Sequence, residues 1–140
     1  MPDRRHEHRR YRAPAQVIDA RAAGRFLNAV RGEDGPHAGA SGEEVAPPML
    51  VASCTLYPPL SELFRDEELG ISLAGLVHVE QSFRWHLPVR LGESLEPEAE
   101  IASVESRRGM TVITIELRSS LADGTPACSG RSVMMLRSGE

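Results

Sequence analysis

The chain has 140 residues, with 16 Arg and no Lys against 20 acidic residues, and two Cys. This length accommodates one ordinary domain, burying roughly two thirds of the unfolded chain's surface; two cysteines make no disulfide framework, and a 41% apolar content excludes collagen-like or disordered chains. No run of about 18 apolar residues and no signal-peptide core occurs, so a cytoplasmic protein with reduced Cys54 and Cys128 and no membrane partner is expected.

Charge is unevenly placed. Residues 1–12 carry a net +3 and the remaining 128 a net −7. A basic arm on an acidic body is one signature of nucleic-acid binding. Here the arm holds a single aromatic, Tyr11, and no basic stripe continues into the body. The expected organisation is a flexible, solvated arm over 1–12 and one domain over 13–140, with no nucleic-acid partner.

In chain order, Asp19 is placed to cap a helix whose apolar positions Ala23, Phe26, Leu27 and Val30 follow the i, i+3, i+4, i+7 pattern. Gly24 weakens it and Gly32 suits its C-terminal cap. Residues 31–47 lose periodicity and read as a loop. Pro47 and Pro48 open an apolar stretch from Met49 to Leu56. Pro58 and Pro59 interrupt it, and Leu60, Leu63 and Phe64 predict one further turn or two before Gly70.

The period then changes to two. From Leu76 to His86, Val77, Val79, Phe83 and Trp85 share one face, with Gln81 its only polar member. His78, Glu80, Ser82, Arg84 and His86 share the other. Further strands are expected over Leu95–Val104, around Thr111–Arg118 and over Ala127–Arg137, with turns at Ser106–Gly109 and Asp123-Gly124. Helices followed by an antiparallel meander make an α+β domain.

Several side chains carry chemistry. His6 and His8 lack the further ligands that a zinc site requires, so no metal is expected. Cys54 lies on an apolar stretch and reads as packing. The polar strand face, with His78 and His86 at its ends, fits either a solvated sheet face or the wall of a polar cavity or dimer interface. In the loop Gly32-Glu33-Asp34-Gly35-Pro36-His37, a carboxylate and an imidazole stand close enough in sequence to hold and activate a water between them. A surface turn is the competing reading.

The segment Gly75-Leu76-Val77-His78-Val79-Glu80-Gln81-Ser82-Phe83-Arg84-Trp85-His86-Leu87-Pro88-Val89-Arg90-Leu91-Gly92-Glu93-Ser94-Leu95 resembles a strand–Pro–Gly–acid segment of the MaoC-like dehydratases. The resemblance is to their N-terminal, fatty-acid-synthase-type dehydratase domain, which includes the first subunit of the mycobacterial (3R)-hydroxyacyl-ACP dehydratases. Ala46-Pro47-Pro48-Met49 resembles that family's Ala-Pro-Pro-Thr-Phe lead-in to a central helix. Val17 to Asp34 is similar to its opening helix, and Arg108-Gly109-Met110 followed by Asp123-Gly124 has its hairpin spacing. The resemblance covers about residues 12–137.

It implies a single hot-dog fold, a long antiparallel sheet curled around a central helix. It also implies a homodimer or a heterodimer with another hot-dog subunit. The ligand would be an acyl-CoA or acyl carrier protein thioester, and the reaction would be reversible hydration of a trans-2-enoyl thioester to the (3R)-hydroxyacyl form, without a cofactor. Pro48, Tyr57, Leu60, Phe64, His78 and His86 are the residues expected to bind the acyl substrate. The family's catalytic motif reads Gly-Asp-x-Asn-Pro-[Leu/Ile/Val]-His. Gly32 and Pro36 match it, but Glu33 holds the Asp position, Gly35 the Asn position, and His37 comes one residue early. A rebuilt motif would use Asp34 and His37 as the catalytic pair. Without it, the chain would be a non-catalytic acyl-binding or structural subunit beside a catalytic MaoC-like partner. A hot-dog thioesterase is a third reading, for which Glu62 is the only acid between Met49 and Phe64. Pro58-Pro59 would either break the central helix, opening room for a bulky acyl tail, or mark its end.

Overall fold

The computed structural model describes residues 1–31, 37–38 and 44–137. Its centre is α2 (Pro48–Arg65), an 18-residue helix lying across the concave face of an antiparallel sheet. Four long strands supply most of that sheet: β5 (Leu76–Trp85), β6 (Ser94–Arg107), β7 (Met110–Leu121) and β8 (Pro126–Arg137). A short strand β1 (Arg10–Arg12) gives the order β1-β6-β7-β8-β5, and β2 (Gln16–Val17) also pairs with β6. Helix α1 (Ala20–Arg31) precedes the central one. This is the hot-dog arrangement, an α+β fold.

Alternation builds the core. Ile113, Ile115 and Leu117 of β7 face α2, and across them lie Met134 of β8 and Ile101 of β6, all essentially buried. Leu56, Leu60 and Leu63 close this cluster from the helix side. A second cluster, at the N-terminal end of α2, joins Val51 and Ala46 to Ile18, Ala23, Val89, Leu95 and Cys128. The β6–β7 turn is tight because Arg108 and Gly109 both take positive φ, 49° and 77°.

Four expectations change. Residues 1–12 do not lie as a solvated arm. Tyr11 is buried between Arg10 and Arg12, which pair with Glu100 and Glu98 of β6, and its hydroxyl donates to Asp66 at 2.7 Å. Residues 31–47 are not all loop: β3 (His37–Ala38) pairs with β4 (Glu44–Val45). Pro58 and Pro59 neither break nor end the central helix, which continues to Arg65. Finally, β5 carries a bulge between His78 and Glu80. The extra residue there moves His78 off the face of Glu80, Ser82 and Arg84 and onto the face of Gln81.

The capping expectation at α1 holds: the Asp19 carboxylate accepts from the Ala22 N–H at 2.7 Å. Ala23 and Leu27 are buried as the pattern predicts, but Val30 is exposed. The expected cap Gly32 lies outside the described residues.

Candidate functional site

Two prolines at the start of α2 set its first turn. Pro47 takes the N-cap position and Pro48 begins the helix, a place where the missing N–H is no loss. Beside this turn the chain leaves β5 through Leu87-Pro88-Val89. The two segments are joined where the Ala46 N–H donates to the Val89 carbonyl at 2.7 Å, with a further bridge between Val45 and Arg90. Between them opens an apolar groove of about 430 Å³, lined by Val45, Ala46, Pro48, Val51, Trp85, His86, Leu87, Pro88 and Val89.

Trp85 forms one wall. It ends the inner face of β5, and its indole N–H donates to the Pro48 carbonyl at 2.7 Å, fixing the ring against the helix start. The Phe83 ring stands beside it, with centroids 6.0 Å apart. His86 closes the same end, its Nε2 lying 2.9 Å from the Ser129 hydroxyl. The groove therefore offers apolar walls with an imidazole at the rim, which suits an acyl chain. A larger hollow, about 510 Å³, lies on the outer sheet face and is lined by Arg84, Arg118, Arg131, Glu100 and Glu116 among others. Its mixed charges do not suit a hydrocarbon.

Of the expected binding residues, the structure brings Pro48 and His86 together at this groove. It does not bring the others there. Leu60 is buried in the core, Phe64 packs against it, and Tyr57 projects from the solvent side of α2 with 64% of its surface exposed. His78 is an exposed residue toward the opposite end of β5, hydrogen-bonded to Gln81 at 3.1 Å. Asp34 lies outside the described residues. The backbone of His37 is placed: in β3 it stands directly opposite Val45, a groove-lining residue. Pattern reading did not single out Trp85, Val51 or Val89 as groove residues. The available signal was Trp85, the one tryptophan of the chain, at the end of the apolar face of β5.

Other candidate side chains have structural partners. His6 is buried and bonded to Asp3, while His8 lies 3.3 Å from Glu100. Burial pushes the Cys54 and Cys128 thiols up, which disfavours the thiolate that a nucleophile needs. Glu62 pairs with Arg65 at 2.6 Å in the last turns of α2, far from the groove at its start. Among the described residues no helix is long and apolar enough to cross a membrane.

Comparison with known proteins adds a family. Residues 15–129 match the model of the FAS1-like, dehydratase domain region. A UPF0336 protein of Cutibacterium acnes is 32% identical over 108 residues, 75% of this chain and 67% of its own length. The chain spans about half to two thirds of the length of the curated relatives it matches. Among solved structures, a chain of the C-terminally truncated HadBC (3R-hydroxyacyl-ACP dehydratase) complex of Mycobacterium tuberculosis superposes with a TM-score of 0.72 at 23% identity, covering 93% of this chain and 96% of that one. The (R)-hydratase of A. caviae involved in PHA biosynthesis gives 0.69 at 21% identity, with coverages of 93% and 96%. At these identities the two likenesses show a shared fold.

Proposed function

From the premise that the chain belongs to the family of FAS1-like dehydratase domain regions, we propose that it is a component of a (3R)-specific enoyl-thioester hydratase, or 3-hydroxyacyl-thioester dehydratase, acting on acyl-CoA or acyl carrier protein. The acyl chain enters the groove beside Trp85 and Pro48. Asp34 and His37 hold a water against the double bond. The carboxylate takes a proton from this water, the resulting hydroxide oxygen bonds to C3, and C2 is protonated from the imidazole. One water is thus added across the bond, and the reverse sequence eliminates it. The apolar groove at the start of the central helix carries this reading, supported by the register that sets His37 opposite Val45, one of its lining residues. A second hot-dog domain completes the site, as in the two-component assembly named for HadBC.

The rival is an acyl-binding subunit that leaves chemistry to its partner, favoured by Glu33 standing where the family motif has Asp. The two separate on substitution. Asp34→Ala and His37→Ala are each expected to slow hydration by about a hundredfold or more, the usual scale for a lost acid or base. Unchanged rates in both variants, measured in whatever assembly is active, would assign the chemistry to the partner.

A further inference from the structure

The outer-face hollow of about 510 Å³ lies partly over the place where β5 and β8 run side by side. Arg84 stands directly opposite Ser129 there, and Ser82 directly opposite Arg131. These four residues make a square, with arginines at two diagonal corners and serines at the other two. Diagonal neighbours on adjacent strands lie about 7–8 Å apart, within reach of long side chains. Both arginines are exposed, and neither has an ion-pair partner among the described residues. The Ser82 hydroxyl likewise has no hydrogen-bond partner among them.

The third arginine of the hollow is already committed. Arg118, on β7, pairs with Glu98 and lies 3.7 Å from Glu100, and Arg12 and Arg10 of β1 hold the same two carboxylates. That network carries its own counter-charges. Glu116, the other acid lining the hollow, stands across Arg131 on β7, on the side away from β5. Arg84 and Arg131 are thus like charges on one diagonal with no carboxylate between them, an arrangement that an anion held between them would relieve. A phosphate fits this place, because planar guanidinium groups grip its oxygens in pairs and serine hydroxyls donate to the rest.

The square adjoins the apolar groove. His86, which lines the groove, lies 2.9 Å through Nε2 from the Ser129 hydroxyl. Arg84 precedes His86 by two residues, about 7 Å along a strand. An extended ligand can place its apolar end beside Trp85 and an anionic group between the arginines, passing the end of β5 at His86. CoA and acyl carrier protein share such an anion, the phosphate at the far end of the pantetheine that bears the thioester.

We propose that Arg84, Arg131, Ser82 and Ser129 form a subsite for the phosphate of the pantetheine arm. This rests on the preceding reading in one respect, that a thioester is the ligand of the groove, and it names the part of the carrier that this chain grips.

The test is calorimetric binding of pantetheine and of phosphopantetheine to the full chain, with no acyl group and no turnover. The wild-type chain is expected to bind the phosphorylated arm about tenfold or more tightly, the scale of one charge-assisted contact. Arg84→Ala and Arg131→Ala should each cut this ratio severalfold, and the double variant R84A/R131A should bring it near one. Arg84→Lys and Arg131→Lys, which keep the charge, should each retain part of it. Inorganic phosphate alone should bind far more weakly than phosphopantetheine. Absence of binding by either arm, equal affinities in the wild type, or a ratio indifferent to both alanine variants would overturn the proposal. Inorganic phosphate binding as tightly as the whole arm would also overturn it, in favour of a free-anion site. Turnover of crotonyl-pantetheine, which lacks the phosphate, reads the hydratase assignment separately: that activity can stand without this subsite, and the phosphate preference can stand without that activity.

Discussion

Gly130 stands directly across from Phe83, and a Cβ built on it would meet the Ser82 carbonyl oxygen at 2.7 Å and the Phe83 ring at 2.9 Å. A side chain there would have to displace backbone. Gly130→Ala is accordingly expected to destabilise the fold by about 1–3 kcal/mol, the range for overpacking a well-filled interior, as read by urea unfolding. Asp66 bears a different kind of constraint. The Tyr11 hydroxyl donates to it, and this bond, more than the opposing effect of burial, leaves its pKa below the usual value; Arg9 at 2.7 Å adds to the lowering. Glu98 is similar: burial raises its pKa, but Arg118 and Arg12 outweigh it, and the net shift is down. Groups depressed in the folded state contribute stability above their unfolded pKa values, and that contribution is lost as pH falls through the folded ones. Stability should therefore decline below about pH 4, the ordinary carboxylate range. Asp66→Asn should flatten that decline, and an unchanged slope of the urea midpoint against pH would contradict the assignment.

At the scale of elements, the long strands were legible and the exceptions to their period were not. The alternation Thr111, Ile113, Ile115, Leu117 predicts the inner face of β7 because each of these side chains is buried. The bulge in β5 escapes such reading, since one added residue leaves composition untouched while exchanging the faces of everything before it. Strand β1 was hidden for another reason. Only Tyr11 of its three residues faces inward, and the partners of Arg10 and Arg12 lie 90 and 86 residues further along the chain. The helix α2 shows local propensity overruled by packing. Pro58 and Pro59 remove the donors that the Cys54 and Thr55 carbonyls would otherwise receive, yet Leu56, Pro59, Leu60 and Leu63 are buried and the helix continues past them to Arg65. Pro58 is only half-buried, so its cost is separable from the core. Pro58→Ala should stabilise the protein by about 2 kcal/mol, the roughly 3 kcal/mol helix penalty of proline less the entropy it removes from the unfolded chain. A lower thermal midpoint would show that the ring's packing outweighs the restored hydrogen bond.

Taken as a whole molecule, the chain places its apolar groove at one end of the central helix and its charged network on the far face of the sheet. Pro48 and His86 meet at the groove because the Ala-Pro-Pro lead-in and the end of β5 converge there. Trp85, Val51 and Val89 were not legible as groove residues, because a groove wall and a core wall have the same apolar pattern, and only three-dimensional closure separates them. Tyr57, Leu60 and Phe64 illustrate this: all lie on the central helix, but the first faces solvent and the other two meet the core. The central claim is that this chain takes part in adding water to enoyl thioesters. It is tested most directly by incubating the purified chain, alone and with a MaoC-like partner subunit, with crotonyl and longer trans-2-enoyl thioesters and resolving the stereochemistry of the product. The account predicts a (3R)-hydroxyacyl thioester, with Trp85 fluorescence changing as the substrate binds. Absence of turnover in both conditions, with no change in Trp85 fluorescence at saturating thioester, would contradict it.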